Sequence, residues 1–470
     1  MIAEEAVVAP RKISTKRLLS QRYDLLWLAL GTLVVTAIAF LFGLWGAGGH
    51  LAPPLDDTFI HFQYAQQLAS GHPFQYNTGD PPSSGDSAFI YPFLLVPPYL
   101  LGIDGQKPLI YADLLNSAAH LALVFFTYKI AFRLGGRPLA LFSAGFVLLD
   151  GRLNYIFVSG METGLYAGAL ATFLWFWLRD VEDARYMWLA AAGTLTALLR
   201  PEGHMLVSMV CVLTAMYLWR RSKRVSTAYL WLAAPVLAGL IPYAANIAMT
   251  GDWQFNTAAS KSIWYLPYAP LYENLSITVG WAANTLKNSY LGLEIGRSPF
   301  VLMAAPVAVL GMGVALRETR YRFFHLLLML TFVGGAALAL LLPPIQFNRY
   351  FMPYDFIFIL YFSLGLIYLV KVADRLVRTN EEGPGKPYAV RSQSLGIAGA
   401  AVTLLLLPQF VAYFFAVGDS SRDIYYQQMA FSDWIRQNTP PDARIGVNDT
   451  GAHKYMSDRY VIDLIGLTNN

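Results

Sequence analysis

Two adjacent carboxylates, Asp56 and Asp57, are the strongest candidates for chemistry in the sequence. They stand in PPLDDTFIHFQYAQQLASGHPF, just after the first long apolar segment, where Pro53 and Pro54 end the preceding helix. Carboxylates near apolar surroundings have raised pKa values, as a general base requires, but they can also cap the free N–H groups of the short amphipathic helix that follows. One cap needs only one acid. We therefore favour catalysis, with Asp56 slightly preferred as the base and Asp57 as its partner.

Four further segments place polar side chains where we expect them to reach the same face of the protein. Charges at the ends of apolar segments are costly, so several that converge indicate a site. Each has a simpler alternative: Glu162 as a first-turn helix charge, Arg200 as a headgroup anchor or a partner of Glu202, Arg349 as a headgroup anchor, and Lys261 as a solvated loop residue. The candidates for substrate binding are Glu162, Arg200, Glu202, Asn256, Lys261, Arg349, Tyr350 and His61. His61 lies on the same helical face as Asp57, so it could also tune or replace the base.

The basic members of this set favour a phosphate ligand. Arginine and lysine side chains bind phosphate by charge-assisted hydrogen bonds without a metal, so Arg200, Lys261 and Arg349 are candidates for that role. The nearby acids could in principle ligate a divalent ion, but no pair of histidines has the spacing of metal ligands. The sequence also lacks a P-loop, a GxGxxG motif after a strand and a GxSxG motif. We predict no metal and no other cofactor.

The composition shows which elements must position these residues. Of the 470 residues, 56% are hydrophobic and only 14% are charged, against roughly a quarter in soluble domains. The apolar residues form runs of about the twenty needed to cross a bilayer, which predicts a protein embedded among membrane lipids. The formal net charge of +4 is spread over short loops, so we exclude a nucleic-acid partner. Cys211 is the only cysteine and lies in an apolar run, which excludes an intrachain disulfide.

The hydropathy pattern predicts an all-α polytopic membrane protein with about eleven transmembrane helices. Lys and Arg in the arm 1–24 and in alternate loops place the N-terminus in the cytoplasm of a cell with a cytoplasmic membrane, and an odd number of spans places the C-terminus outside. Residues 46–109 and 250–298 are then long external loops, and the proline-containing segment 88–102 is predicted to lie at the membrane interface. The predicted spans are about 25–45, 110–132, 138–157, 161–178, 186–200, 203–219, 229–249, 299–316, 323–342, 350–370 and 395–416.

A small external α/β tail is predicted to follow the transmembrane domain, which covers 25–417. In the tail, 418–470, the segment YYQQMAFSDWIRQN is typical of a helix, ARIGVND and RYVIDLIG are typical of strands, and TPPD separates them. The tail is short for an acceptor-binding domain, which leaves two interpretations: that such a domain is lacking, or that the sequence is truncated. No internal repeat is evident.

The combination of motifs resembles a known family. In order and spacing, DDTFIHFQYAQQLASGHPFQYN, SGMETGLY, LLRPEG, GDWQFNTAASK and RYFMPY are similar to the GT-C glycosyltransferases, in particular to the bacterial arabinofuranosyl- and mannosyltransferase-like branch. The resemblance covers roughly 20–370. It implies an enzyme that transfers a sugar from a polyprenyl-phosphate carrier to a hydroxyl of a glycan, lipid or protein acceptor outside the membrane. It also implies that the Asp56–Asp57 pair contains the base and that Arg200, Lys261 and Arg349 face the carrier phosphate.

Two further observations bear on this interpretation. Phe255 precedes Asn256 and Thr257 where the family pattern has proline, which predicts an altered loop. A transporter or lipid flippase of cell-envelope polysaccharide assembly is the alternative, and a non-catalytic component of that assembly is a third possibility. A transporter would have charges near the bilayer midplane and broken helices in both halves, whereas the charges here are predicted at one surface.

Overall fold

The computed structural model describes residues 15–224, 226–261, 270–285, 301–339, 349–378 and 391–468. The side chains of 15–19, 261, 285, 301–303 and 378 lie outside this description. Within it the helices are α1 (Thr15–Gly46), α2 (Asp57–Ala69), α3 (Tyr91–Leu100), α4 (Pro108–Leu148), α5 (Gly151–Ile156), α6 (Glu162–Asp183), α7 (Met187–Leu199), α8 (Pro201–Ser222), α9 (Ala228–Ala238), α10 (Ile241–Thr250), α11 (Asn256–Lys261), α12 (Leu271–Thr285), α13 (Val301–Arg317), α14 (Arg322–Ala339), α15 (Asp355–Arg378), α16 (Ser392–Asp423), α17 (Ala430–Asn438) and α18 (Gly451–Ser457).

The prediction of an all-helical membrane domain is confirmed, and each of the eleven predicted segments is largely helical among its described residues. Seven helical spans among the described residues are long and apolar enough to cross a membrane, so the number eleven is not confirmed. α7 and Ala304–Arg317 are shorter apolar helices. The seven spans are Ser20–Gly46, Pro108–Leu148, Pro201–Ser222, Ala228–Thr250, Arg322–Ala339, Met352–Val377 and Ser392–Asn438.

Glycines explain two differences from the predicted spans. The segments 110–132 and 138–157 are joined in α4 by a sharp bend at Gly136, whose φ of 81° lies in the left-handed region that favours glycine. The segment 229–249 is interrupted between α9 and α10. Gly239 at that break lies so close to His204 that a Cβ atom there would come within 2.1 Å of the imidazole. The backbone conformation of Gly136 and the close packing at Gly239 therefore account for the bend and the break.

The segment 47–107, predicted to lie outside and called the outer loop below, is folded against the helix ends. The aromatic side chains Phe59, Phe62 and Tyr64 of α2 are all buried inside the protein. α3 lies within 88–102, where an interfacial helix was predicted, and Tyr91 and Leu95 on one of its faces are buried. Asp56 and Asp57, at the start of α2, are therefore surrounded by protein on several sides.

The tail has the predicted α/β character, although no break occurs at 418. α16 continues through the π-helical stretch Ile424–Met429 into α17. Strands β1 (Arg444–Val447) and β2 (Tyr460–Asp463) then pair in parallel, with α18 between them in the sequence. The register matches Arg444 with Tyr460 and Val447 with Asp463.

The tail docks on the outer loop through hydrogen bonds between residues far apart in sequence. The Asn77 amide donates to the Val461 carbonyl and its oxygen accepts from the Val461 N–H, each at 3.0 Å. The hydroxyls of Tyr76 and Thr450 lie 2.8 Å apart, and Tyr460 donates to Asp80 at 3.0 Å. The two segments therefore form one packed unit next to the ends of the helices.

Cysteine accessibility tests the predicted orientation of this unit. We expect single cysteines at the exposed positions Ser70 and Gln437 to react with a membrane-impermeant maleimide in intact cells, and a cysteine at Ser222 to react only after permeabilisation. The native Cys211 is buried and serves as the unreactive background. Labelling of Ser222→Cys before permeabilisation, with Ser70→Cys protected, would show that the protein has the opposite orientation in the membrane.

Candidate functional site

A cavity of about 170 Å³ lies where the outer loop meets the start of α6, the α7–α8 turn, the start of α11 and the tail. Seven of the ten residues predicted from the sequence line it. These are Asp57, His61, Glu162, Arg200, Glu202, Arg349 and Tyr350, and they are joined by others that include Asp86, Phe255, Thr257 and Leu467.

Local backbone rules place the charged side chains at the helix ends. Arg200 precedes Pro201, and a residue before proline is driven to extended conformations, here φ −153° and ψ 144°. Pro201 itself occupies the first turn of α8, where a missing N–H costs nothing. Glu162 starts α6 after Gly160, whose φ of 67° and close contact with Thr58 leave no room for a Cβ atom. Both side chains are thereby held at the cavity wall.

Arg200 is held by two carboxylates. Its Nη1 donates to Glu162 Oε1 at 2.6 Å, and its Nε donates to Glu202 Oε1 at 2.5 Å. The alternative that Arg200 pairs with Glu202 is therefore seen, but the arginine is also buried and fixed to a second helix. A headgroup anchor in open lipid would have neither feature.

Arg349 forms an ion pair with Asp57, although 292 residues separate them. The Tyr350 ring lies between the two arginines, 5.4 Å from the guanidinium carbon of Arg200 and 5.2 Å from that of Arg349. Cation–π contacts of this kind hold guanidinium groups without consuming their N–H donors. Among the described residues, Nε and Nη1 of the buried Arg349 have no hydrogen-bond partner. Both N–H groups can therefore donate hydrogen bonds to an anion.

His61 connects the remaining acids of the cavity. Its Nδ1 lies 2.6 Å from Asp86 and its Nε2 lies 2.9 Å from Glu162. Burial by itself would lower the pKa of His61, but the two carboxylates outweigh it and raise the pKa to about 10. His61 is therefore a cation at neutral pH, which does not fit the possibility that it replaces the base. Asp86 was missed from the sequence, because an acid in SSGDSAF resembles an ordinary turn residue.

Asp56 is placed differently from the prediction. Its two oxygens accept from the backbone N–H groups of Gly451 and Ala452 at 2.8 Å each, so it holds the start of α18 in the tail. It makes no capping hydrogen bond to its own helix and does not line the cavity. Burial raises the pKa of Asp56 to about 7, although the backbone hydrogen bonds act to lower it. The geometry accordingly shifts our preference for the base from Asp56 to Asp57.

The altered loop at Phe255 still forms part of the wall. Phe255 is buried and packs against Tyr243 with ring centroids 5.3 Å apart. The Asn256 N–H donates to Ser84 Oγ, which in turn donates to the Asn256 side chain, both at 3.0 Å. Asn256 therefore ties α11 to the outer loop and does not itself line the cavity. The side chain of Lys261 lies outside the described residues.

The described residues contain no group of three His, Cys, Asp or Glu side chains able to hold a metal ion. The absence of a metal requirement remains a prediction. The acids that could have served as ligands are instead engaged with arginine, histidine or backbone N–H groups in the structure.

Comparison with solved structures shows the fold. The chain is similar to ArnT from Cupriavidus metallidurans bound to undecaprenyl phosphate, with a TM-score of 0.58 and 13% identity over 93% of this chain and 85% of ArnT. It is similar to the Archaeoglobus fulgidus oligosaccharyltransferase tethered with an acceptor peptide, with a TM-score of 0.52 and 15% identity over 92% of this chain and 64% of that one. AglB from the same organism, in complex with an inhibitory peptide and a dolichol-phosphate, gives 0.51 and 13% over 93% and 65%. The chain therefore shares the overall fold of these solved structures.

Sequence comparison covers only the tail. Residues 422–470 match the family model of a domain of unknown function, DUF8728. No curated protein matches the chain significantly in sequence.

The charge of His61 predicts a pH-dependent stability. A histidine with a raised pKa contributes its full stability below the pKa of about 6.5 that it has in an unfolded chain, and loses the contribution as pH rises through its folded value of about 10. We expect His61→Gln to lower the melting temperature by several degrees at pH 6 and by less at pH 9.5. Thermal unfolding of both proteins in detergent across this range measures the difference. A difference that stays constant with pH would show that His61 is uncharged in the folded protein.

Proposed function

We propose that the protein is a membrane glycosyltransferase that moves a sugar from a polyprenyl-phosphate carrier to an acceptor hydroxyl on the outer face of the cytoplasmic membrane. The observation that carries this proposal is the cavity in which Asp57 meets two buried arginines. It agrees with a fold shared with ArnT, a protein whose solved structure holds undecaprenyl phosphate. The sequence motifs further support donors of the arabinofuranosyl or mannosyl type and a glycan, lipid or protein acceptor.

The reaction needs a base and a cationic site, and the cavity supplies both. The acceptor oxygen forms a bond to the anomeric carbon of the sugar as that carbon's bond to the carrier phosphate breaks. The acceptor proton goes to Asp57, and the phosphate leaves with the bonding electrons. Arg349, and Arg200 beside it, stabilise the charge that develops on the phosphate, because preorganised donors are most effective in a site sheltered from water.

The Asp57–Arg349 pair controls how basic the Asp57 carboxylate is. A carboxylate paired with a guanidinium is a weak base, because the neighbouring positive charge favours its ionised form. A donor phosphate that binds Arg349 competes for the same guanidinium and weakens its hold on Asp57. The carboxylate then becomes more basic only once the donor is in place, which limits reaction without a substrate.

The tail closes this site. Leu467 lines the cavity, and Ser260 Oγ on α11 donates to the Gly466 carbonyl at 2.8 Å. Asp56 fastens α18, so we assign it a positioning role in which it keeps the tail against the outer loop. On this proposal the segment that matches a domain of unknown function is a wall of the catalytic cavity.

The transporter alternative is less well supported. Among the described residues, three cations line the cavity, each is paired with a carboxylate, and all lie at one end of the helices. A transported substrate needs an alternating path, whereas these pairs fix α6 to the outer loop and to the α7–α8 turn, and fix the outer loop to the segment that precedes α15.

Paired substitutions test the function and separate the two aspartates. Purified protein is incubated with acceptor membranes and a panel of radiolabelled polyprenyl-phosphate sugars, with EDTA present. We expect transfer by the wild type, a loss of roughly 10²–10⁴-fold in Asp57→Asn with the tail still protected, and a smaller loss in Asp56→Asn together with faster tryptic cleavage at the exposed Arg444.

Three results would contradict this account. Near wild-type rates in Asp57→Asn would show that Asp57 is not the general base. An Asp56→Asn variant as inactive as Asp57→Asn, with its tail protected, would return catalysis to Asp56. Transfer that is abolished by EDTA and restored by Mg²⁺ or Mn²⁺ would make the acids metal ligands.

A further inference from the structure

A second, larger cavity of about 950 Å³ lies at the other end of the helices that carry the site. α7 and α8 both have one end at Arg200 in the first cavity. Their opposite ends, with the start of α9, enclose the second one. The two cavities are therefore on opposite sides of the helical bundle.

The second cavity is lined by cations without acidic partners. Arg185, Arg221 and Arg224 contribute to its wall, and no carboxylate lies within ion-pair distance of them among the described residues. The nearest acids in sequence are the exposed Asp183 and Glu182, which pairs with Arg133. The hydroxyl residues Ser226 and Thr227 complete the polar side, just before α9. This donor set suits a phosphate group.

Two tryptophans also contribute to the wall of the second cavity. Trp188 and Trp231 both line it and remain 52% and 41% exposed. Half-exposed tryptophans are enriched at the level of lipid headgroups, where one part of the ring contacts hydrocarbon and another contacts water.

The length of α7 places the floor of the cavity inside the bilayer. Its 13 residues rise about 20 Å, whereas the hydrocarbon core is about 30 Å thick. With Arg200 at the outer surface, Met187 at the start of α7 falls short of the inner headgroups. α8, with 22 residues and about 33 Å, carries Arg221 to the full depth. These lengths place the arginines that line the cavity at a depth where phospholipid headgroups meet acyl chains.

We propose that this second cavity binds an anionic phospholipid of the inner leaflet. The arginines and hydroxyls hold its phosphate, and Trp188 and Trp231 contact its glycerol and upper acyl chains. The site is independent of the proposed transferase reaction, and its occupant supports the α7–α8 pair from the side opposite to the active site.

Lipid binding to purified full-length protein tests this proposal. Phosphatidylglycerol and phosphatidylcholine are titrated in neutral detergent and bound lipid is measured by native mass spectrometry. Each arginine near an anionic headgroup contributes about a fivefold effect, so the combined Arg185→Gln, Arg221→Gln and Arg224→Gln variant should bind phosphatidylglycerol roughly 100-fold more weakly. The matched control is Arg317→Gln, Arg320→Gln and Arg322→Gln, which removes the same charge from a different connection and should bind as the wild type does.

Several outcomes would overturn it. Equal loss in the control variant would show that only the net charge of the protein matters. Equal binding of phosphatidylcholine, which carries a phosphate but no net charge, would show that the site does not select an anionic headgroup. Displacement of the lipid by millimolar inorganic phosphate would identify a site for a soluble anion. Should the triple variant fail to fold, Arg221→Gln alone, at an exposed position, must still weaken binding about fivefold.

Discussion

The ion pair between Asp57 and Arg349 is the interaction on which the rest of the proposed active site depends. A guanidinium as deeply buried as that of Arg349 requires a carboxylate, since a buried charge without a partner costs several kcal/mol. The same constraint gives Arg200 two acids and His61 two more contacts with carboxylates. On the proposed function, a donor phosphate that binds one of these cations competes with the carboxylate already paired with it.

These ion pairs determine where the helices that carry them must end. The pairs join α2, α6, the α7–α8 turn and the segment before α15, so each of these elements must end at the same level of the protein. Proline at 201 and glycine at 160 set two of these ends through backbone geometry. The tail adds the last wall, held by the backbone N–H groups of α18 at Asp56.

Local patterns in the sequence predicted the helical membrane domain and most of the cavity. Apolar run length identifies helices wherever they lie, and the alternation of loops brings Glu162, Arg200 and Arg349 to one side before any contact is known. The unpredicted features depend on distant contacts or on close packing. Asp56 binds the start of α18, 395 residues later in the sequence. The role of Asp86 is visible only from its contact with His61. The end of α9 depends on contact between Gly239 and His204.

The affinity of the protein for undecaprenyl phosphate tests the competition between carboxylate and phosphate most directly. If Asp57 withholds Arg349 from the donor, Asp57→Asn should bind the carrier about tenfold more tightly than the wild type while turning over far more slowly. Arg349→Gln should bind it more weakly. Weaker binding in Asp57→Asn, or unchanged binding in both variants, would show that the pair does not face the carrier phosphate and would contradict the account.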